Sequence, residues 1–319
     1  MVFCLVVCLL QQVFVPADTV TLQTGGRYIS KAERSRVNVD GTYTLLSEHR
    51  VFHFASDGTM RAQFGAKGNG PGEFNLVYDV FWTGSYFLAT DSRRRDVSYF
   101  DPDGNFLKRD TVKIQNLLLF GDQGYLVLLD RIKAKEPAIS LVTLTGELAL
   151  QQAGPYFHDQ LPEVSRFLFN FSSVLLATQG DRLYVVDEMR PDVTVYDQQG
   201  VRLSSFQAAL KYYVRPQTMW DERWSRKQIL RHIFAFSRIH RIGATDQGLV
   251  VVYHVPDPED PDTTRVLMTL VGYSGETLDR EPRVLKGHFL GTQGNLAHVL
   301  EEQDDFNYVV HRYRIEPAP

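Results

Sequence analysis

Short apolar runs of four to six residues, separated by Asp/Gly turns, recur along this chain. Their spacing predicts strands rather than helices. Two stretches align without gaps: Asp91-Ser-Arg-Arg-Arg-Asp96-Val97-Ser98-Tyr99-Phe100-Asp101-Pro-Asp-Gly104 and Asp187-Glu-Met-Arg-Pro-Asp192-Val193-Thr194-Val195-Tyr196-Asp197-Gln-Gln-Gly200. They share the pattern D-x4-D-V-[ST]-[VY]-[FY]-D-x2-G. Each follows an apolar strand, Tyr86–Thr90 or Leu183–Val186, and runs into another after the glycine. This predicts a meander of strand, loop, strand, tight turn and strand.

The two copies lie 96 residues apart, with a degenerate copy between them at Tyr125–Leu150. The repeat is therefore about 48 residues, the length of a propeller blade. The same grammar holds at Thr42–Phe64, at Leu249–Asp279 and at Leu296–Ile315, where the last unit ends before its outer strand. Val20–Gln23 is strand-like and otherwise unpaired. It is the expected donor of that strand, closing the ring and removing its exposed edge. The expected fold is all-β, a six-bladed β-propeller, with two β-sandwiches as the alternative.

A family resemblance enters at Phe64-Gly-Ala-Lys-Gly68-Asn-Gly70-Pro71-Gly72-Glu73-Phe74. This run is similar to the G-x-G-P-G-E-F segment of NHL-like six-bladed propellers, in particular exported bacterial proteins of that architecture. The resemblance covers nearly all the chain after residue 18 and implies architecture rather than activity. Where NHL repeats often carry Arg before the strand, this chain has Asp96 and Asp192. Binding that leans on that arginine is therefore not implied.

Composition changes the picture in three places. A net charge of −4 argues against a protein that coats nucleic acid. The two cysteines, Cys4 and Cys8, exclude a disulfide scaffold. Residues 2–15 read VFCLVVCLLQQVFV, too short for a transmembrane span but of signal-peptide length, with Val15-Pro16-Ala17 as a cleavage site. The expected organisation is a signal peptide at 1–17 and one propeller domain at 18–319, exported to a bacterial periplasm or medium. A lipid anchor at Cys8 is the other fate of that segment.

Candidate chemistry is sparse. No H-E-x-x-H and no G-x-S-x-G occurs. No metal, cofactor or catalytic residue is expected. The glycines at 65–72 precede a strand, not a helix, so they do not form a phosphate cradle. Asp91, Asp130 and Asp187 recur at one strand end, which suits a carboxylate accepting backbone N–H bonds in the following turn.

The largest break in the repeat lies between Phe206 and Gly248, where turn glycines 200 and 275 are 75 residues apart, against 42 to 54 elsewhere. A helical insertion is expected at about 215–235. Its face would carry Trp220, Arg223, Trp224 and Lys227, a basic and aromatic surface suited to stacking and cation–π contacts. The loops bearing Arg93, Arg94, Arg95, Arg131, Lys133 and Arg190 should share its rim, opposite the acidic loops at 257–262 and 301–305. The functional expectation is a binding or scaffold module for a protein, peptide or glycan on that rim. The alternative is a propeller lyase or hydrolase using His254, Glu301 and Asp130 at the central channel.

Overall fold

The structure is a computed structural model. It describes residues 13–110 except 31, 92 and 95, residues 174–215 except 189, 199 and 200, and residues 235–316 except 261, 262, 304 and 305. Between 110 and 174 it describes the backbone of four strands only.

The chain is an all-β propeller whose described strands form six four-stranded antiparallel sheets. Strand β1 (Phe14–Leu22) comes from the N-terminus. Sheet 1 holds β2 (Arg36–Val37), β3 (Tyr43–Leu46), β4 (Val51–Phe54) and β5 (Met60–Phe64). Sheet 2 holds β6 (Val77–Trp82), β7 (Phe87–Asp91), β8 (Asp96–Phe100) and β9 (Phe106–Asp110). Sheet 3, described by backbone alone, holds β10 (Asn116–Leu117), β11 (Tyr125–Leu128), β12 (Ser140–Thr145) and β13 (Glu147–Ala149). Sheet 4 holds β14 (Val174–Gln179), β15 (Arg182–Asp187), β16 (Asp192–Tyr196) and β17 (Arg202–Gln207). Sheet 5 holds β18 (Arg238–Ala244), β19 (Leu249–Pro256), β20 (Thr264–Val271) and β21 (Arg283–Val284). Sheet 6 holds β22 (His288–Gln293), β23 (Leu296–Gln303) and β24 (Asn307–Ile315), and β1 is its outer strand.

The core lies between sheets, which is why the middle strands are apolar on both faces. In β19, Leu249, Val251 and Tyr253 pack toward sheet 4, while Val250 and Val252 pack toward sheet 6. Between sheets 1 and 2 the filling is aromatic: Phe64 lies 4.9 Å from Phe87 and 4.5 Å from Phe100, ring centre to ring centre. The abundance of aromatic residues is explained by such contacts, which reward offset and tilted ring pairs.

The outer strand of sheet 6 is longer than the sequence pattern predicts. Val20–Leu22 pair with β24 as expected, but Phe14, Val15 and Pro16 pair with it as well. Val13 and Phe14 are buried in the core between sheets 5 and 6. The boundary expected after Ala17 thus falls inside β1. In sheet 5 the outer strand also differs from the expected Glu276–Asp279. Only Thr277 bridges to Val271 there, and β21 sits further along at Arg283–Val284. The edge is broken between them because Asp279 turns inward to accept from Thr269, and Pro282 has no N–H to give.

The turn glycines have a tertiary reason. At each described turn between a third and a fourth strand, the glycine meets the outer strand of the preceding sheet. A Cβ on Gly275 would sit 2.4 Å from the Gln207 carbonyl oxygen, and one on Gly104 would sit 2.8 Å from Phe64 Cβ. On Gly58 it would sit 2.1 Å from the Thr21 carbonyl oxygen. Strand β1 therefore does to sheet 1 what β5 does to sheet 2 and β17 to sheet 5. Backbone bonds complete the clasp, from Gln23 N–H to the Gly58 carbonyl (2.9 Å) and from Ala209 N–H to the Gly275 carbonyl (2.8 Å).

Gly58 has φ +87° and Gly84 has φ +93°, but nothing approaches Gly84 within 4 Å. Gly84→Ala carries only the left-handed backbone penalty of about 1–2 kcal/mol. Gly58→Ala adds an overpacking cost of about 1–3 kcal/mol. Urea denaturation of the two variants should separate them by that second amount, and equal losses would dismiss the clasp.

The expected helical insertion at about 215–235 lies outside the described residues, apart from its two ends. Among the described residues no helix is long and apolar enough to cross a membrane.

Candidate functional site

Of the expected rim residues, Arg93, Arg94 and Arg190 are described. Arg95, Arg131, Lys133, Trp220, Arg223, Trp224 and Lys227 lie outside the described residues. Arg93 is exposed, and Arg190 is half-buried in the loop after β15.

Arg94 is engaged within its own loop region. Its guanidinium donates to the Gly68 carbonyl (3.2 Å) and the Glu73 carbonyl (2.7 Å), and lies 3.0 Å from Asp96 and 3.4 Å from Asp91. Arg109 of β9, which the sequence pattern did not single out, donates to the carbonyls of Asn69, Gly70 and Glu73. Two guanidinium groups thus bind the carbonyls of the glycine-rich loop. The Glu73 carboxylate folds back onto the Gly70 N–H at 2.7 Å. A Cβ at Gly68 would strike that carboxylate. The motif is a cation-filled carbonyl cage that joins sheets 1 and 2, followed by strand β6.

Asp91 does what its recurrence predicts. It is fully buried and accepts from the N–H groups of Arg93 and Arg94 in the following turn, and from those of Asn75 and Leu76. Burial pushes its pKa up, but these bonds and the Arg94 charge outweigh burial and hold it below the usual carboxylate range. Asp130 and the Asp187 side chain lie outside the described residues.

Of the expected channel residues His254 and Glu301 are described, and each is engaged elsewhere. Glu301 pairs with His311 at 3.0 Å. His254 packs against His240, with ring centres 5.1 Å apart, and contacts Thr264 at 3.3 Å. Among the described residues no three His, Cys, Asp or Glu side chains are grouped to hold a metal ion. The acidic loop of sheet 5 is engaged locally: Asp257 accepts from the Glu259 N–H and lies 3.8 Å from Arg265.

A different constellation forms where the inner strands begin. A 3-10 turn, Ala32–Arg34, leads into β2. Arg34 lies 3.9 Å over the Tyr78 ring and donates to the Tyr78 carbonyl at 3.2 Å. Arg36 is ion-paired with Asp79 of β6. Arg241 of β18 donates to the Ser35 carbonyl at 2.9 Å. Sheet 6 stands between sheets 5 and 1, since β22 contacts both β18 and β2. Arg241 therefore reaches past β22 to Ser35. The residues on either side of Ser35, Arg34 and Arg36, engage Tyr78 and Asp79 of β6.

Bulges help to shape this mouth. Register shifts fall at Tyr78 in β6 and at His240 in β18, each near the strand start. A bulge re-aims the side chain it carries. Nearby, Arg238 lies 3.6 Å from Glu188. Burial, with the charges of His254, Arg241, Arg238 and His288, pushes the His240 pKa down to about 3. Burial, with Arg238, pushes that of His254 down to about 4. Apart from His254, the sequence marked none of this site, because its residues come from sheets 1, 2, 4, 5 and 6 and follow no spacing.

No family model matches the sequence, and no curated relative matches it. Solved structures resemble it in fold. One is a Bacteroides vulgatus protein of the DUF4221 family, with TM-score 0.63, 12% identity, and coverage of 96% of this chain and 98% of that one. Another is a Bacteroides fragilis protein described as exported, with TM-score 0.60, 14% identity, and coverage of 94% of each chain.

Proposed function

We propose that the chain is an exported bacterial propeller whose six sheets close into one ring, and that it binds a protein, peptide or glycan partner. The binding face is the one where the inner strands begin. The observation that carries this reading is the bond from Arg241 of sheet 5 to the carbonyl of Ser35, beside Arg34 and Arg36, which engage Tyr78 and Asp79 of sheet 2. A rigid ring that presents convergent polar groups at one mouth is built to hold a ligand rather than to fill a core. The described end of the 207–237 crossing, with exposed Tyr212, stands on the same face. Export is supported by the apolar leader and by the likeness to a protein described as exported. The burial of Val13 and Phe14 in the core favours a processing point at or before residue 12.

The test is an array of glycans and peptides probed with the wild-type chain and with His288→Trp. His288 is exposed at the start of β22, and the larger ring would crowd the mouth. Hits that vanish in the variant support the reading. Hits that all persist, or an array with none, overturn it.

A further inference from the structure

We infer that the outer edge of sheet 5 carries a glycan-binding platform, in which the Tyr212 ring stacks on the face of a neutral sugar. The platform lies away from the inner strands, so the inference goes beyond the mouth described above and stands without it.

Backbone strain is the first observation. Among the described residues two that are not glycine have left-handed backbone, Tyr212 (φ +63°) and Phe306 (φ +64°), and both are exposed aromatic residues. A bulky side chain at such a φ is an outlier that the fold must hold in place. Phe306 packs edge-on against Tyr28, with ring centres 5.5 Å apart, whereas Tyr212 has no ring partner among the described residues. Tyr212 stands third in a turn closed by the Tyr213 N–H on the Leu210 carbonyl (3.4 Å), a place that glycine or asparagine fills without strain. Its ring is 58% exposed and stands outside the core, while Tyr213 turns inward, 6.2 Å from Tyr253.

Residues from two sheets fix the ring. Beyond β17 the chain runs along sheet 5 across the gap in its outer strand. Ala209 bonds to Gly275 and Thr277, and Lys211 Nζ donates to the Arg280 carbonyl at 3.3 Å. The Lys211 carbonyl accepts from the Tyr253 hydroxyl at 2.9 Å. The Tyr212 hydroxyl donates to Glu281 at 3.2 Å, and Glu281 is ion-paired with Lys211, whose ammonium lies 5.4 Å from the ring centre. Held at its backbone and at its hydroxyl, the ring has little entropy left to lose on binding.

The neighbours of the ring set the ligand class. Lys211 and Glu281 compensate each other, so a ligand of either charge meets one partner and one opponent. Both stay exposed beside the ring, an ammonium that donates and a carboxylate that accepts. A pyranose matches this arrangement: its C–H face is apolar and covers an aromatic ring, while its hydroxyls donate and accept at the rim. A proline-rich peptide docks in an aromatic-lined groove, and a nucleic acid would bring phosphates against Glu281. A lone ring beside an ion pair suits neither.

The experiment is calorimetric titration of the full chain at pH 7 with cellohexaose, maltohexaose and mannohexaose, and with decaproline as the peptide arm. The expected result is binding of at least one hexasaccharide and no response to decaproline. Tyr212→Ala should weaken that binding by about 10-fold or more, and Tyr212→Phe should hold it within about threefold, because the ring remains. His288→Trp, at the mouth, should leave it unchanged. Tyr212→Gly should also lose binding, yet its urea midpoint should equal or exceed that of the wild type, since glycine accepts positive φ freely.

The inference is overturned if no hexasaccharide binds, if decaproline binds in their place, or if the affinity survives Tyr212→Ala. It is also overturned if the Tyr212→Gly midpoint falls below that of the wild type, which would make the ring part of the fold. Hexasaccharide binding abolished by His288→Trp and untouched by Tyr212→Ala would place the glycan at the mouth and refute the platform alone.

Discussion

Acidification from pH 7 to pH 4.5 should lower the urea midpoint of this protein steeply. Burial is the main cause in every histidine involved. It pushes His53 and His298 from the ordinary 6.5 down to about 4, and acts likewise on His240 and His254 at the mouth. His53 is 3% exposed, packed 5.3 Å from Trp82 and 5.0 Å from Phe87, and His298 is 1% exposed, 3.3 Å from the Tyr43 hydroxyl. A histidine that is harder to protonate when folded leaves the unfolded chain with more protons between pH 4 and 6.5. Its contribution is therefore complete above about pH 6.5 and is lost as pH falls toward 4. For His53 and His298 the loss is up to about 3 kcal/mol each.

Asp279 works in the opposite direction. Burial raises its pKa from 3.8 to about 6, so its cost to the folded state is present above pH 6 and disappears on acidification. It returns up to about 3 kcal/mol and so offsets one histidine. The net loss over the four histidines remains large against a total stability of about 5–15 kcal/mol. His53→Phe should flatten the midpoint-versus-pH curve between 6.5 and 4. Equal urea midpoints at pH 7 and pH 4.5 would refute this account.

Cutting the chain after Ala17 should destabilise the propeller by about 4–6 kcal/mol relative to a chain cut after residue 12. The first cut removes Val13 and Phe14, each worth about 1.5–3 kcal/mol when buried. It also removes the pairing of Phe14, Val15 and Pro16 with β24, and the bond from the Glu316 N–H to the Val13 carbonyl (3.0 Å). Residues that remain, Asp18 to Leu22, still pair with β24, and Asp18 still meets Arg312. The expected outcome is thus a folded but weakened ring, read as a lower melting temperature and faster proteolysis. Identical melting of the two truncations would show that the first turn of β1 contributes nothing to closure.

Much of the architecture was legible along the chain. Strand repetition survives in sequence because each middle strand must be apolar and each turn must bend at Asp and Gly. The Asp101 side chain, for example, accepts from the N–H groups of Asp103 and Asn105 in its own turn. Such contacts are local, and local geometry imposes fixed spacing. Closure by an N-terminal strand was legible for the same reason, since a meander one strand short leaves an edge to be paired. The start of that strand was not, because Phe14 reads equally well as leader or as core until Ile315 is placed beside it.

The site was the least legible part. Arg93-Arg94-Arg95 read as one basic loop, yet Arg94 is turned inward by the loop carbonyls and Arg93 outward to solvent. No spacing relates Ser35 to Arg241, which lies 206 positions on and reaches the Ser35 carbonyl only because three sheets stand side by side. By itself, then, the sequence determined the strand repeat, the turn chemistry and the need for a closing strand, all properties of near neighbours. Only the tertiary structure decided why the turn glycines admit no side chain, which arginines hold loops and which gather at the mouth. Those outcomes depend on what neighbouring sheets bring within a few ångströms.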